Sequence, residues 1–156
     1  MKKRSSVGYE LYKFLGDGWI LLFEPRFEGL EIFKFLENLS DNFLSLYRRR
    51  IKNVLTTRIS VVGLTFGMDI GSCYRFMMNL RPEYTGRSLN VAARLQDAIG
   101  QRGKNPENKV LISNNLYATF KDKIKIRDKY NVMEVSRELK NILGGERYWC
   151  KKAALK

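Results

Sequence analysis

The sequence predicts an α/β (α+β) fold, a mixed β-sheet with flanking helices. Three observations carry that prediction: an aromatic-rich hairpin near the start, a long amphipathic helix after it, and short β-rich runs alternating with helical patterns to the end. In the hairpin, Leu11-Tyr12-Lys13-Phe14-Leu15 and Trp19-Ile20-Leu21-Leu22-Phe23 flank Gly16-Asp17-Gly18. A tight turn between twisted strands needs positive φ angles, which Gly and Asp tolerate. Glu24-Pro25-Arg26 then breaks the strand. From Glu28 to Ile51 the apolar residues Leu30, Phe33, Leu36, Leu39, Phe43, Leu46 and Tyr47 recur in helical steps, with the aromatics expected in the core. Arg48-Arg49-Arg50 falls in the last turns, where cations complement the helix dipole.

Ile59 to Ile70, rich in Val, Ile, Leu and Phe, reads as a buried strand. Ser72 to Leu80 continues extended as the return arm of a second hairpin, and Pro82 to Gly86 follows as a loop. Ser88 to Ile99 is helical, and Gly100 to Asn108 is polar and loop-like. Lys109 to Ile112 is a short strand, after which Ser113 caps a brief helix through Phe120. Val132 to Leu143, the turn Gly144-Gly145 and Arg147 to Lys152 close the chain as two strands.

A chain of 156 residues, 44% of them apolar, fits one domain over residues 1–156 that buries a core without disulfide or metal staples. Cys73 and Cys150 form no metal-ligand spacing and read as reduced thiols of a cytoplasmic protein. No apolar run approaches the roughly 18 residues that span a bilayer, so no membrane segment is expected. The formal charge is +13, from 29 basic and 16 acidic residues, and it favours polyanions. Its clusters, Lys2-Lys3-Arg4, Arg48-Arg49-Arg50, Lys121 to Lys129 and Lys151-Lys152, are scattered and accompany no nucleic-acid motif. Most of the charge reads as solvated surface, and nucleic acid is not the expected partner. The chain has no histidine. That excludes Ser-His-Asp and Cys-His catalysis and His-ligated zinc, leaving carboxylates, Lys, Arg, hydroxyls and oxygen-ligated cations.

Taken alone, Asp17 is either a turn residue bonded to its own backbone or a rigid carboxylate for a metal or a cationic group. Asn90 and Arg94, four residues apart on a predicted helix, share a face. They either brace the helix and decorate its surface, or hold a sugar oxygen and a phosphate. Glu83 can accept from an exocyclic amine.

Read together, Lys-Phe-Leu-Gly-Asp-Gly (13–18), Thr-Phe-Gly-Met-Asp-Ile-Gly (65–71), Tyr-Thr-Gly-Arg-Ser-Leu-Asn-Val-Ala-Ala-Arg-Leu (84–95) and Val-Leu-Ile-Ser (110–113) resemble the ordered motifs of class III nucleotidyl cyclases. Leu-Lys-Asn-Ile and Gly-Gly-Glu-Arg-Tyr in the tail resemble that family's closing strands, so the likeness runs from about residue 11 to 152. The resemblance implies a cyclase (ferredoxin-like) fold. It implies Asp17 as the second of two metal-binding aspartates, Asn90 orienting the ribose and Arg94 stabilising phosphate charge. Lys13 and Glu83 match the pair that reads the base. Adenylyl cyclases carry Lys and Asp there, so ATP comes first, while the compact bacterial phrasing around Glu83 keeps UTP or CTP open, as in the pyrimidine cyclases of anti-phage systems. The implied cofactors are two Mg²⁺ or Mn²⁺ ions, and the implied assembly is a homodimer with two sites at its interface.

The sequence departs from this pattern at its front. Met1 to Glu10 contains no aspartate, whereas the family places its first metal aspartate on a strand upstream of the hairpin. The expectation is therefore an N-terminally truncated reading of a longer gene, with a degenerate fragment or half of a split enzyme as alternatives. A non-catalytic module for nucleotide sensing or dimerisation is the competing function, and a basic nucleic-acid binder the third.

Overall fold

The computed structural model describes residues 7–26, 28–57, 59, 61–101, 105, 107–142, 144 and 146–155. The basic cluster Lys2-Lys3-Arg4, Ser60 of the expected 59–70 strand, four residues of the 100–108 loop, and Leu143 and Gly145 of the closing hairpin lie outside the described residues. The architecture is mixed α and β, with a four-stranded sheet, two separate hairpins and four α-helices among the described residues.

Strands β1 (Tyr9–Leu15) and β2 (Gly18–Phe23) pair antiparallel as the first hairpin. Gly16 takes φ +69 and Asp17 does not, the pattern of a two-residue II′ turn that follows the strand twist. The hairpin stands on helix α1 (Gly29–Leu46): Phe35 packs at 5.1 Å from the Tyr9 ring and 5.6 Å from Phe23. Its far end is bare, with Phe14, Leu15 and Trp19 each about half exposed.

Helix α1 buries Ile32, Phe33, Phe35 and Leu36. Complete burial of Phe33 contributes about 2–3 kcal/mol. At its start, the N–H of Leu30 donates to Asp122 Oδ2 at 2.8 Å, so a distant carboxylate satisfies one of the orphan donors and faces the positive end of the dipole. Gly29 sits against Phe120 and Ile126, where a Cβ would approach within 2.6 Å and 2.5 Å. The expected apolar stripe is buried only in its first half. Phe43 and Tyr47 are half-buried and Leu46 is exposed, and none of the three belongs to a core cluster of the described residues. The helix ends in a π-helical turn, Tyr47–Ile51, closed by Lys52 N–H on Tyr47 O at 2.9 Å.

The main sheet has the order β3-β6-β8-β7, built from β3 (Thr65–Met68), β6 (Lys109–Ser113), β8 (Arg147–Ala154) and β7 (Met133–Glu138). β3 and β6 are parallel and the other pairs antiparallel, so the sheet is mixed. Strand alternation divides the core in two. Val110, Ile112 and Ala153 join α1 on one side with helices α3 (Asn114–Thr119) and α4 (Lys123–Tyr130), while Leu111 and Cys150 face helix α2 (Arg87–Asp97) on the other. Ser113 caps α3 as expected, accepting from Leu116 N at 3.1 Å.

Three expectations between residues 59 and 86 are corrected. Among the described residues of the 59–70 stretch only Thr65–Met68 is strand, the length that β6 pairs, and it is half-buried rather than buried. The extended segment after it is not that strand's return arm: β4 (Tyr74–Met78) pairs antiparallel with β5 (Arg81–Thr85), within the stretch read as a loop. The turn between them uses Asn79 and Leu80 with φ +50 and +63, an I′-type pattern without glycine. Helix α4, in a stretch read only as a basic cluster, is a fourth difference. Two of its side chains, Ile126 and Tyr130, reach the core. The closing hairpin is a fifth: β7 ends at Glu138, short of the expected 132–143 strand. Glu138 pairs with Arg147, so the strands are joined by a longer connection than the turn Gly144-Gly145. No helix among the described residues is long and apolar enough to cross a membrane.

Candidate functional site

The two hairpins meet through a polar junction. Neighbouring residues of a regular strand point to opposite faces, yet Tyr12 and Lys13 both reach the Glu83 carboxylate. The reason is a β-bulge: Leu11 pairs with Leu21 and Lys13 with Ile20, which leaves Tyr12 as an extra residue and turns it toward the side of Lys13. Lys13 Nζ lies 2.9 Å from Glu83 Oε2. The Tyr12 hydroxyl donates to the same oxygen and accepts the Tyr84 N–H at 3.0 Å. The Tyr12 and Tyr84 rings meet edge-on, 4.9 Å apart, and Tyr84 OH donates to Glu10 Oε2 at 3.1 Å.

This arrangement fixes the ionisation of the pair. The hydrogen bonds from Tyr12 and then Lys13 hold the Glu83 carboxyl below its ordinary range. The hydrogen bond to Glu83 holds the Lys13 ammonium above its own. At neutral pH the junction therefore offers an acceptor-only carboxylate and a donor-only ammonium side by side. Glu83 is largely covered, its side chain 17% exposed, whereas Lys13 is open to solvent at 43%.

β5 runs into α2 through Gly86, so Glu83 lies seven residues before Asn90. Helix α2 is pressed onto β3: a Cβ on Gly67 would lie 2.0 Å from Ala92 O and 2.4 Å from Gln96 N, and Gln96 Nε2 donates to Thr65 Oγ1 at 2.8 Å. Val91 and Leu95 are wholly buried by this contact, which leaves Asn90 exposed and Arg94 half-buried. Arg94 Nη1 lies 3.4 Å from Asp97, an i,i+3 pair along the helix.

Of the five residues singled out from the sequence, Lys13 and Glu83 are in direct contact, and Asn90 and Arg94 share one helix. Asp17 is exposed at the tip of the first turn, and no hydrogen bond or ion pair among the described residues joins it to the other four. No three carboxylates or thiols among the described residues come together as a metal site. One exposed aspartate does not fit a two-metal centre. Another carboxylate, Asp69, directly follows β3; its Oδ1 is buried without a partner among the described residues. Burial first, and then the Asp69 charge, push the Tyr148 phenol up. Arg48, Arg49 and Arg50 are exposed, as a solvated basic surface requires.

Tyr12 and Tyr84 were not among the residues expected at the site. Both lie in aromatic-rich extended stretches where a tyrosine reads as packing, and a bulge carries no sequence signature. Scanned against protein-family models the chain matches none, and a search of curated proteins finds no significant match.

Proposed function

We propose that the chain is a nucleotidyl cyclase domain of the class III type, with the ferredoxin-like arrangement and the homodimer that this implies. Its substrate is a nucleoside triphosphate, ATP first. The observation that carries the reading is the Lys13–Glu83 contact, which joins two residues 70 positions apart that the motif resemblance independently pairs as base readers. The Asn90/Arg94 face, one short connection after β5, supports it.

In the reaction, the ribose 3′-oxygen attacks the α-phosphorus, the bond from that phosphorus to the β-phosphate's bridging oxygen breaks, and pyrophosphate leaves while the hydroxyl proton passes to solvent. Catalysis of such a transfer is mainly positioning and charge stabilisation. Lys13 and Glu83 hold the base edge, Asn90 orients the ribose, and the Arg94 fork meets charge developing on the phosphates. Divalent ions are the family's source of further charge stabilisation; Asp17 is the one residue of this chain assigned to them. The unbridged thiols Cys73 and Cys150 suit a reducing cytoplasm.

Chromatographic detection of cyclic product and pyrophosphate from each of the four triphosphates, with Mn²⁺ or Mg²⁺, tests the proposal. Arg94→Ala is expected to lower turnover by about 10²–10³-fold, the scale for one stabilising donor. A second reading, a nucleotide-binding module without turnover, is favoured by the isolation of Asp17 among the described residues. Calorimetric binding of triphosphates without metal, and without any cyclic product, would select it.

A further inference from the structure

Every hydrogen bond that Glu83 makes among the described residues falls on one oxygen, Oε2, which receives both Tyr12 and Lys13. Oε1 keeps its acceptor capacity. The Tyr12 hydroxyl is itself fixed, because its oxygen also takes the Tyr84 N–H. A hydroxyl that bridges a carboxylate and a backbone donor is worth building only if the carboxylate's direction matters: a solvated surface ion pair has no need of it. The bulge that turns Tyr12 inward costs ladder regularity in β1, and it serves no packing in either core cluster.

We propose that Tyr12 is a positioning residue: its hydroxyl locks one oxygen of Glu83, so that the other, with Lys13 beside it, reads a base edge presenting an amino group next to a ring-nitrogen acceptor. This rests on the nucleotide reading given above. Adenine and cytosine present that edge. Guanine and uracil present a carbonyl beside a ring N–H, which would set oxygen against Oε1 and a donor against the ammonium. A site whose placed donor and acceptor meet like groups on the wrong ligand discriminates against that ligand. If the carboxylate swings free, it can turn away from the carbonyl and the discrimination falls.

Tyr12→Phe keeps the ring against Tyr84 and removes only the hydroxyl. In a carbon-detected NMR titration of the ligand-free protein, the Glu83 carboxyl is expected to titrate below its ordinary range in wild type and to move up toward it in Tyr12→Phe. With non-hydrolysable analogues of the four triphosphates, wild type should favour the ATP and CTP analogues over those of GTP and UTP, and Tyr12→Phe should cut that ratio roughly tenfold, the loss of one hydrogen bond to a charged group. Glu83→Gln, whose amide can also donate, should cut it as well and keeps the test intact if the phenylalanine variant folds poorly. An unmoved Glu83 titration in folded Tyr12→Phe overturns the role of Tyr12 whatever the nucleotide result. A Glu83 that responds as expected in a protein that binds none of the four analogues overturns the nucleotide reading, and the base preference with it.

Discussion

The two hairpins are built alike and held differently. β1–β2 is turned by a glycine at φ +69 and stands on α1 through a cluster of Tyr9, Phe23 and Phe35. β4–β5 is turned by Asn79-Leu80, exposes Tyr74, Phe76, Met77 and Met78, and reaches the first hairpin through hydrogen bonds rather than an apolar core. One hairpin is anchored by burial, the other by a polar junction and by its continuation into α2. The candidate site lies where the two meet, so its geometry depends on a stiff partner and a softer one.

Removing the apolar anchor should have the largest effect on stability. Phe35→Ala is expected to cost about 3–5 kcal/mol, the range for deleting a buried aromatic, read by urea denaturation. A loss under about 1 kcal/mol, the size of an ordinary surface change, would show that the first hairpin is not anchored there. Next is the seat of α2. Gly67→Ala places a methyl against the backbone of Ala92 and Gln96 and should cost about 2–3 kcal/mol, as overpacking does when the neighbour cannot move. Gly18→Ala, with nothing within 4 Å of the added Cβ, is the control for that comparison and should leave the denaturation midpoint almost unchanged.

The softer hairpin should be improvable. Leu80 is 95% exposed at φ +63, so its side chain gains little from packing while its backbone carries the left-handed cost. Leu80→Gly should therefore stabilise the protein by about 0.5–1 kcal/mol, since the relief of strain exceeds the added unfolded-state entropy. A lowered melting temperature would mean that the turn is held from outside.

The smallest effect is the junction's own pH dependence. Glu83 titrates below its ordinary value of 4.5 in the folded protein, so its stabilisation is present above that value and disappears as pH falls through the folded one. Lys13 is raised above 10.5, so its contribution is full below that pH and is lost as pH rises through the folded value. Glu83→Gln should flatten both limbs of a stability profile, and limbs of unchanged slope would remove the pair from the account.

The same contrast explains what the sequence could reveal. Gly16-Asp17-Gly18 announces its turn because glycine is the usual carrier of a positive φ. Asn79-Leu80 reaches the same region without that marker, and Pro82 in the following strand reads as a breaker although it pairs with Met77 in a two-stranded sheet. Helix α4 escaped because Ile126 and Tyr130 are its only buried side chains while Ile124 is exposed, too thin a stripe for periodicity to register. The Ser113 cap was legible because it depends on residues near one another in sequence. At the site, Lys13 and Glu83 became a pair through family resemblance, since nothing local links residues 70 positions apart. The bulge and the Tyr12 hydroxyl stayed hidden because they are tertiary features of an ordinary-looking strand.

Calorimetric titration of a non-hydrolysable ATP analogue into wild type, Glu83→Ala and Arg94→Ala tests most directly whether the hairpin junction and the α2 face serve one ligand. One binding event in wild type, weakened by each variant although the residues stand on different elements, is the predicted result. No binding by wild type, or binding that Arg94→Ala leaves untouched, would contradict it.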